Sequence, residues 1–471
     1  MLYHFSGIII RLEKYSKITI ILIYFIKNHN ERNETMQRLS KKQLVFMSFM
    51  LFSMFFGAGN LIFPAFLGRA SGTETWISMA GFIISAVGLP IMGVIAVAKI
   101  GSLNSLGNRL SPVFALIFPI IIYISIGPLM AIPRTASVSF EMAVKPYISD
   151  GAQFNTIALI IYSVVFFCLA LWLSLSPSKL IDLFGKLLTP TILILLFIVF
   201  VKSLLTPLSG ATAPTAHYEE ATIVKGFLDG YLTMDLLGSL VFGIVIANTI
   251  RQQGVTDKRG LSLAMMIAGI GAGILLTLIY CLLGYLGASS GLDFGQTDNG
   301  ASVLFQVMNQ LFGSFGTVIL GLIFFIACLC VAIGLIIACS EYFSQTIPRL
   351  SYKQWATVIT VISAIIANLG LNAILSFSVP VLGLIYPIAV VLVILAMIDD
   401  WIKSKQAIYV WSIALTATYS IVSTINTSFL DAQLDAYLQY IPLHSVGIGW
   451  ILPALIGGVI GAIMPQSKTV S

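Results

Sequence analysis

The sequence predicts an all-α polytopic membrane protein with 12 transmembrane helices, and three observations carry that prediction. Hydrophobic residues make up 58% of the 471-residue chain, charged residues only 9%, and the mean hydropathy is +0.99. A water-soluble core cannot absorb such a composition. The apolar residues fall into twelve runs of bilayer-spanning length, over 44–68, 75–98, 112–138, 154–176, 187–206, 226–250, 261–287, 314–342, 354–371, 374–398, 407–428 and 446–464. With the amino terminus inside, the inner segments carry Arg38, Lys41, Lys42, Lys99, Arg109, Lys179, Lys186, Arg251, Lys258, Arg259, Arg349, Lys353, Lys403, Lys405 and Lys468. The outer segments carry only Arg69, Lys145, Lys202 and Lys225. Fifteen against four is the positive-inside asymmetry, and one span more or fewer would scramble it. Both termini are therefore predicted to be cytoplasmic.

Residues 1–35 read as an N-terminal extension outside the fold. Their longest apolar piece, Ile18 to Ile26, is too short to span, and Lys27-Asn28-His29-Asn30 follows it where a signal peptide would need small residues. Met36, ahead of Arg38, Lys41 and Lys42, reads as a cytoplasmic start, and 36–471 as a single twelve-span domain.

The first span carries the most informative stretch, Phe55-Phe56-Gly57-Ala58-Gly59-Asn60-Leu61-Ile62-Phe63-Pro64. Two glycines and a proline raise the cost of continuous helix there. A break at the bilayer midplane leaves N–H and C=O groups that lipid cannot satisfy, so it must face protein or a water-filled cavity. Small-residue packing against a neighbouring helix would explain the glycines without requiring Asn60 and Pro64. The sixth span repeats the pattern with Asp229-Gly230-Tyr231-Leu232-Thr233-Met234-Asp235-Leu236-Leu237-Gly238-Ser239. Breaks in helices 1 and 6 imply a five-plus-five repeat, about 44–206 and 226–398, with two extra helices over 407–464. Because five is odd, the second copy is inverted. Weaker echoes fall in the same order: Ala131-Ile132 leading to Glu141 against Ala332-Ile333 leading to Glu341, and Thr189-Pro190 against Val379-Pro380.

Arg134 and Asp235 are ionisable residues within spans, where charge is expensive and usually faces the bundle interior. Both fall on the outer side of the midplane, which allows them to pair. All five cysteines lie in apolar runs away from the four histidines, against a disulfide framework or a Cys/His metal site. The net charge of +6 reflects topology and implies no nucleic-acid partner. Zincin, serine-hydrolase and nucleotide-binding motifs are missing from the sequence, so it reads as no enzyme, without a cofactor, driven by a gradient and requiring no ATPase subunit. A channel is the competing class, but the charges form no ring and two broken helices of opposite sense suit alternating access.

From about Lys41 to Met464 the chain resembles the bacterial branched-chain amino acid carrier proteins, which are leucine/isoleucine/valine:cation symporters. The matching segments are Phe55 to Pro64, Gly127-Pro128-Leu129, Ile132-Pro133-Arg134-Thr135-Ala136-Ser137, Ser178-Lys179-Leu180-Ile181-Asp182, Gly230-Tyr231-Leu232-Thr233-Met234-Asp235, and Ala367-Asn368-Leu369-Gly370-Leu371-Asn372. More remotely, Gly57-Ala58-Gly59-Asn60 with Phe63-Pro64 is similar to the broken first helix of the neurotransmitter:sodium symporters. The resemblance implies a multi-pass protein of the bacterial cell membrane that imports leucine, isoleucine and valine with H+ or Na+. A gradient-driven carrier of another small amino acid or organic cation is the alternative.

In that setting, N–H groups near Ala58, Gly59 and Asn60 would face the substrate carboxylate. Carbonyls around Phe55 and Gly57, and around Leu236, Leu237, Gly238 and Ser239, would accept its ammonium. Met234, Leu237, Leu240 and Phe242 are the nearest candidates for an apolar side-chain pocket. The resemblance also implies a sodium site of helix-one carbonyls, here about Ser53 and Phe56, and a helix-eight hydroxyl pair. This chain has Cys330 and Val331 at the pair, which offer a hard cation almost nothing. Weak or absent sodium dependence follows, with Asp235 as proton carrier or Asn60 as a sodium ligand elsewhere, and Arg134 as counter-charge. The other reading is that Cys330 and Val331 simply fill the volume of two threonines.

Overall fold

The computed structural model describes residues 39–148, 152–176, 181–295, 300–402 and 406–464. The expected extension over 1–35, the start at Met36, the motif residues 178–180 and the inner charges Arg38, Lys179, Lys403, Lys405 and Lys468 lie outside them. Among the described residues every regular element is helical. Nine helical stretches there are long and apolar enough to cross a bilayer, and two apolar helices, Tyr352–Ala367 and Ile451–Ile463, are shorter.

The first expected span is two helices, α1 (Lys41–Phe55) and α2 (Ala58–Ser71). Ser40 starts α1: its hydroxyl accepts the Gln43 N–H at 3.3 Å while the Gln43 side chain accepts the Ser40 N–H at 2.9 Å. A wide π-type turn over Ile84–Gly88 joins α3 (Thr75–Ile83) to α4 (Leu89–Ile100). A second, over Ser125–Leu129, joins α5 (Pro112–Ile124) to α6 (Ala131–Ala143). There Gly127 leaves helical geometry at φ −79°, ψ −113°, next to Pro128, which has no N–H to give. Next come α7 (Ala152–Ser174) and α8 (Thr189–Leu205).

The sixth expected span is likewise two helices, α9 (Thr222–Tyr231) and α10 (Asp235–Gln252). The chain continues through α11 (Lys258–Ser289), α12 (Gly300–Phe312), α13 (Ser314–Thr346), α14 (Tyr352–Ala367), α15 (Leu371–Met397), α16 (Gln406–Phe429) and α17 (Ile451–Ile463). The last expected span, 446–464, is helical only from Ile451; the residues before it form turns.

Packing is reciprocal between the halves. Helices α1 and α2 lie along α11, while α9 and α10 lie along α3 and α4. Glycine makes both approaches close: a Cβ on Gly68 would run into the Gly284 backbone, and one on Gly226 into the Ser78 backbone. Most of α13 is buried against α6, α10 and α14 at the centre, whereas Trp172, Phe197 and Leu278 are exposed, as side chains facing lipid are.

The segment after α8 closes one end of the bundle. Backbone bonds join Thr73 N–H to Thr212 O (3.0 Å), Thr215 N–H to Ala70 O (2.9 Å) and Gly210 N–H to Ser289 O (2.8 Å), fixing the ends of α2 and α11. Ser209 donates its N–H (3.1 Å) and its hydroxyl to Asp293. These bonds hold the Asp293 carboxyl below the usual carboxylate range. Arg69 is not the exposed outer charge its topology suggested. It is 1% exposed, with Nε donating to Gly287 O (3.2 Å), Nη1 to Gly295 O (2.6 Å) and Nη2 to Ser290 Oγ (2.6 Å).

Candidate functional site

Phe56 and Gly57 interrupt the first span. Phe56 is extended (φ −73°, ψ 93°), with its N–H still on Phe52 O at 2.7 Å, and Gly57 (φ −126°, ψ −160°) turns the chain into α2. The last carbonyls of α1 and the first N–H groups of α2 then have no partners within a helix. Asn60 supplies part of the answer from one turn ahead, its Oδ1 accepting the Gly57 N–H at 3.0 Å. The Cys328 sulfur sits on the Ala58 N–H.

The second interruption is a tight turn over Leu232, Thr233 and Met234. Leu232, Thr233 and Met234 donate backbone N–H bonds to Asp229, Gly230 and Tyr231, and Met234 enters the left-handed region at φ 66°, which a methionine rarely visits. Thr233 caps both sides, donating to Gly230 O (2.8 Å) and accepting the Asp235 N–H (3.4 Å). Because α10 is regular from Asp235 onward and Met234 O accepts the Gly238 N–H at 2.9 Å, the carbonyls left without a backbone partner are those of Leu232 and Thr233. The expected acceptors at Leu236, Leu237, Gly238 and Ser239 lie inside the helix instead. Leu236 O takes the Ser239 hydroxyl at 2.6 Å, and Ser239 packs on Gly93 of α4.

The two interruptions meet through side chains. Asn60 Nδ2 donates to Asp235 Oδ2 and to the Tyr280 hydroxyl, each at 2.5 Å, and that hydroxyl donates to the same carboxylate oxygen at 3.0 Å. All three residues are buried. Among the described residues Asp235 has no cation within 4.0 Å, so the expected pair with Arg134 is not formed. Arg134 donates instead from Nη1 to the freed carbonyl of Leu232 at 3.1 Å, with its guanidinium 5.8 Å from the Phe63 ring centre. A carbonyl and an aromatic face satisfy the cation without neutralising it.

A small cavity of about 30 Å³ lies between the interruptions. Phe55, Gly57, Ala58, Gly59, Asn60, Arg134, Asp235, Gly238 and Val331 line it, together with Met234 and Phe242. Phe55 and Phe242 meet edge to face at 5.6 Å, giving one end an aromatic wall. Leu236, Leu237, Ser239 and Leu240 are buried outside the lining. Backbone donors, a carboxylate and open carbonyls at one end with apolar side chains at the other suit a small zwitterion with an aliphatic tail. Arg134 and Gly59 also line an outer cavity of about 250 Å³, so the arginine stands in the partition between the two spaces.

Ser53, Phe56 and Cys330 lie outside the lining, on the α1 side of the first interruption. The Ser53 hydroxyl bonds that of Thr189, which in turn donates to Phe49 O at 2.8 Å, and the Cys330 thiol reaches Ser53. Val331 faces the other way: a Cβ on Gly57 would come 2.8 Å from its Cγ2. Thr189 and Tyr280 are the members sequence reasoning missed. Thr189 had a signal in its place beside Pro190 at a helix start; Tyr280, in the middle of an apolar run, had none.

The sequence profile of the family described as "Branched-chain amino acid transport protein" matches residues 40–468. The chain is 42% identical over 429 residues to the branched-chain amino acid permease BraB of Bacillus subtilis, covering 90% of this chain and 96% of the relative. It is 39% identical over 431 residues to the branched-chain amino acid transport system 2 carrier protein of Pseudomonas aeruginosa, covering 91% and 97%. Identity to the branched-chain amino acid permease BrnQ of Escherichia coli is 38% over 431 residues, covering 91% and 97%. Two solved structures share the fold. Mhp1, a nucleobase-cation-symport-1 family transporter in a closed conformation with bromovinylhydantoin bound, superposes with a TM-score of 0.58 at 10% identity, covering 89% of this chain and 91% of that one. MhsT in complex with L-phenylalanine gives 0.56 at 15% identity, covering 89% and 99%.

Proposed function

Because the chain belongs to the branched-chain amino acid transport protein family, and is thus a multi-pass transporter of the bacterial cell membrane and not an enzyme, we propose that it imports leucine, isoleucine and valine by cation symport from a site between its two helix interruptions. One observation carries the location of the site: both interruptions open on a single cavity, and Asn60 at the start of α2 is bonded to Asp235 at the start of α10. The N–H groups at Gly59 and Asn60 receive the substrate carboxylate, and the open carbonyls of the two turns receive its ammonium. Met234, Phe242 and Leu335 surround the branched side chain. One methylene in such a pocket is worth about 1–3 kcal/mol, so leucine, isoleucine and valine are graded rather than sharply separated.

In this reading the chain has twelve spans with both termini cytoplasmic. The pairs α1/α2, α3/α4, α5/α6 and α9/α10 each make one crossing, and α7, α8, α11 and α13 to α17 make one each. The reciprocal packing of α1 and α2 on α11, and of α9 and α10 on α3 and α4, supports the inverted five-plus-five repeat. The coupling cation acts at Asp235, because a buried carboxylate without a counter-charge is costly until a proton or metal cation completes it. Proton coupling is favoured over sodium. Cys330 offers a thiol and no hydroxyl beside Ser53, Val331 faces the cavity instead, and the hydroxyls that remain there, Ser53 and Thr189, already bond each other.

Counterflow in proteoliposomes containing only this protein tests the function. Internal unlabelled leucine, isoleucine or valine is expected to drive uptake of labelled leucine without ATP or another subunit. Exchange driven equally well by unrelated small amino acids, or flux too fast for a carrier cycle, would favour the alternatives.

A further inference from the structure

A further, partly open space lies on the far side of the second interruption, between α15, α16, α9 and the turns before α17. It has a volume of about 540 Å³, and hydroxyl-bearing and apolar side chains but no charged one line it. Three buried polar atoms on its wall have no hydrogen-bond partner: the Tyr231 hydroxyl, the Ser420 hydroxyl and the Trp450 indole N–H. Their residues are 7%, 2% and 6% exposed. Tyr231 and Trp450 approach each other without meeting in hydrogen-bond geometry. Unmet donors in a membrane interior are costly, so this arrangement points to a partner that brings its own oxygen atoms.

Trp450 also lines a second space, a groove of about 660 Å³ between α4, α15, α16 and α17 whose wall is almost entirely apolar. Pro387 on the polar wall and Val391 on the apolar one are a single helical turn apart along α15. A hydroxyl-lined chamber adjoining an apolar groove is complementary to an amphiphile, with its head in the first and its chain in the second. We propose that this pair of spaces is a binding site for one bilayer lipid whose polar head is uncharged and hydroxyl-bearing. The wall decides the head group: no lysine or arginine is present to neutralise a phosphate, while Tyr231, Ser420 and Trp450 offer donors to sugar or glycerol oxygens. The site backs onto the transport machinery, since Tyr231 stacks on Tyr386 at 4.0 Å and the Tyr386 hydroxyl accepts the Leu236 N–H at 3.4 Å.

Native mass spectrometry of the full chain, released from nanodiscs containing equal amounts of monoglucosyl dioleoylglycerol and dioleoyl phosphatidylglycerol, tests the proposal. One glucolipid is expected to stay bound in preference to the anionic lipid. Two variants fill the spaces from positions with room for a side chain: Gly383→Phe in the polar chamber, where a Cβ meets only Thr424 Oγ1 at 3.5 Å, and Gly458→Phe in the groove, where it meets only Ser412 Oγ at 3.4 Å. Each is expected to lower glucolipid retention by roughly tenfold. Retention unchanged in both variants, no preference over phosphatidylglycerol, no bound lipid in the wild type, or a second protein copy in place of lipid would each overturn it.

Discussion

Gly59→Val tests how tightly the partition between the two cavities is built. A Cβ at residue 59 would fall 2.8 Å from Arg134 Nη2, 3.2 Å from the Phe63 ring and 3.3 Å from the Leu232 carbonyl oxygen. The carbonyl is backbone in a tight turn, so the guanidinium is what moves, and its 3.1 Å bond to Leu232 O is lost. A hydrogen bond to a charged donor is worth about 1.5–3 kcal/mol. If that bond holds the turn in its binding geometry, leucine uptake falls by roughly 10- to 150-fold. The β-branched side chain adds to the loss by occupying space beside the N–H groups assigned to the carboxylate. The assay is the initial rate of labelled leucine uptake in membrane vesicles, normalised to inserted protein, with Gly59→Ala as an intermediate. Wild-type uptake by correctly inserted Gly59→Val protein would refute the assignment of this turn to the substrate.

Asp235→Asn keeps the shape of the Asn60 and Tyr280 contacts while removing the charge, so concentrative uptake should collapse while protein level and leucine exchange change much less. Cys330→Thr with Val331→Thr adds one hydroxyl beside Ser53 and another facing Gly57, and sodium should then stimulate leucine uptake more than it does in the wild type, measured at a fixed proton gradient. Arg69→Met leaves the acceptors at Gly287, Gly295 and Ser290 without their donor, each such bond being worth about 1.5–3 kcal/mol. A clear drop in melting temperature of the purified protein is expected. The Asp293 carboxyl titrates below its unfolded value in the folded chain, so its contribution is present above the ordinary carboxylate range and is lost as pH falls through the folded value. The protection of the Ser209 and Gly210 amides, taken as exchange relative to the intrinsic rate at each pH, should fall on acidification, and Asp293→Asn should remove that pH dependence of protection.

The broken helices were legible because glycine, proline and a lone carboxylate inside apolar runs have few explanations in a membrane. Their fine placement was not. The acidic and small residues of the sixth span suggested open carbonyls after Asp235, whereas the turn lies before it and depends on a left-handed Met234 that no composition rule anticipates. Sequence reasoning also paired charge with charge. Asp235 is instead held by an amide and a phenol, and Arg134 by a carbonyl and a ring. Neutral partners such as Tyr280 look like ordinary members of an apolar helix until packing brings them across. Arg69 shows the same limit, since three carbonyl and hydroxyl acceptors bury a charge that counted as an outer loop residue.

Placement of the substrate between the interruptions is tested most directly by a leucine analogue with a diazirine in its side chain, photolysed in proteoliposomes and mapped by peptide mass spectrometry. Adducts are expected on both the Met54–Asn60 and the Thr233–Phe242 segments, protected by unlabelled leucine and isoleucine. Protectable adducts confined to other helices, such as the Leu371–Leu375 wall of the outer cavity, would contradict it.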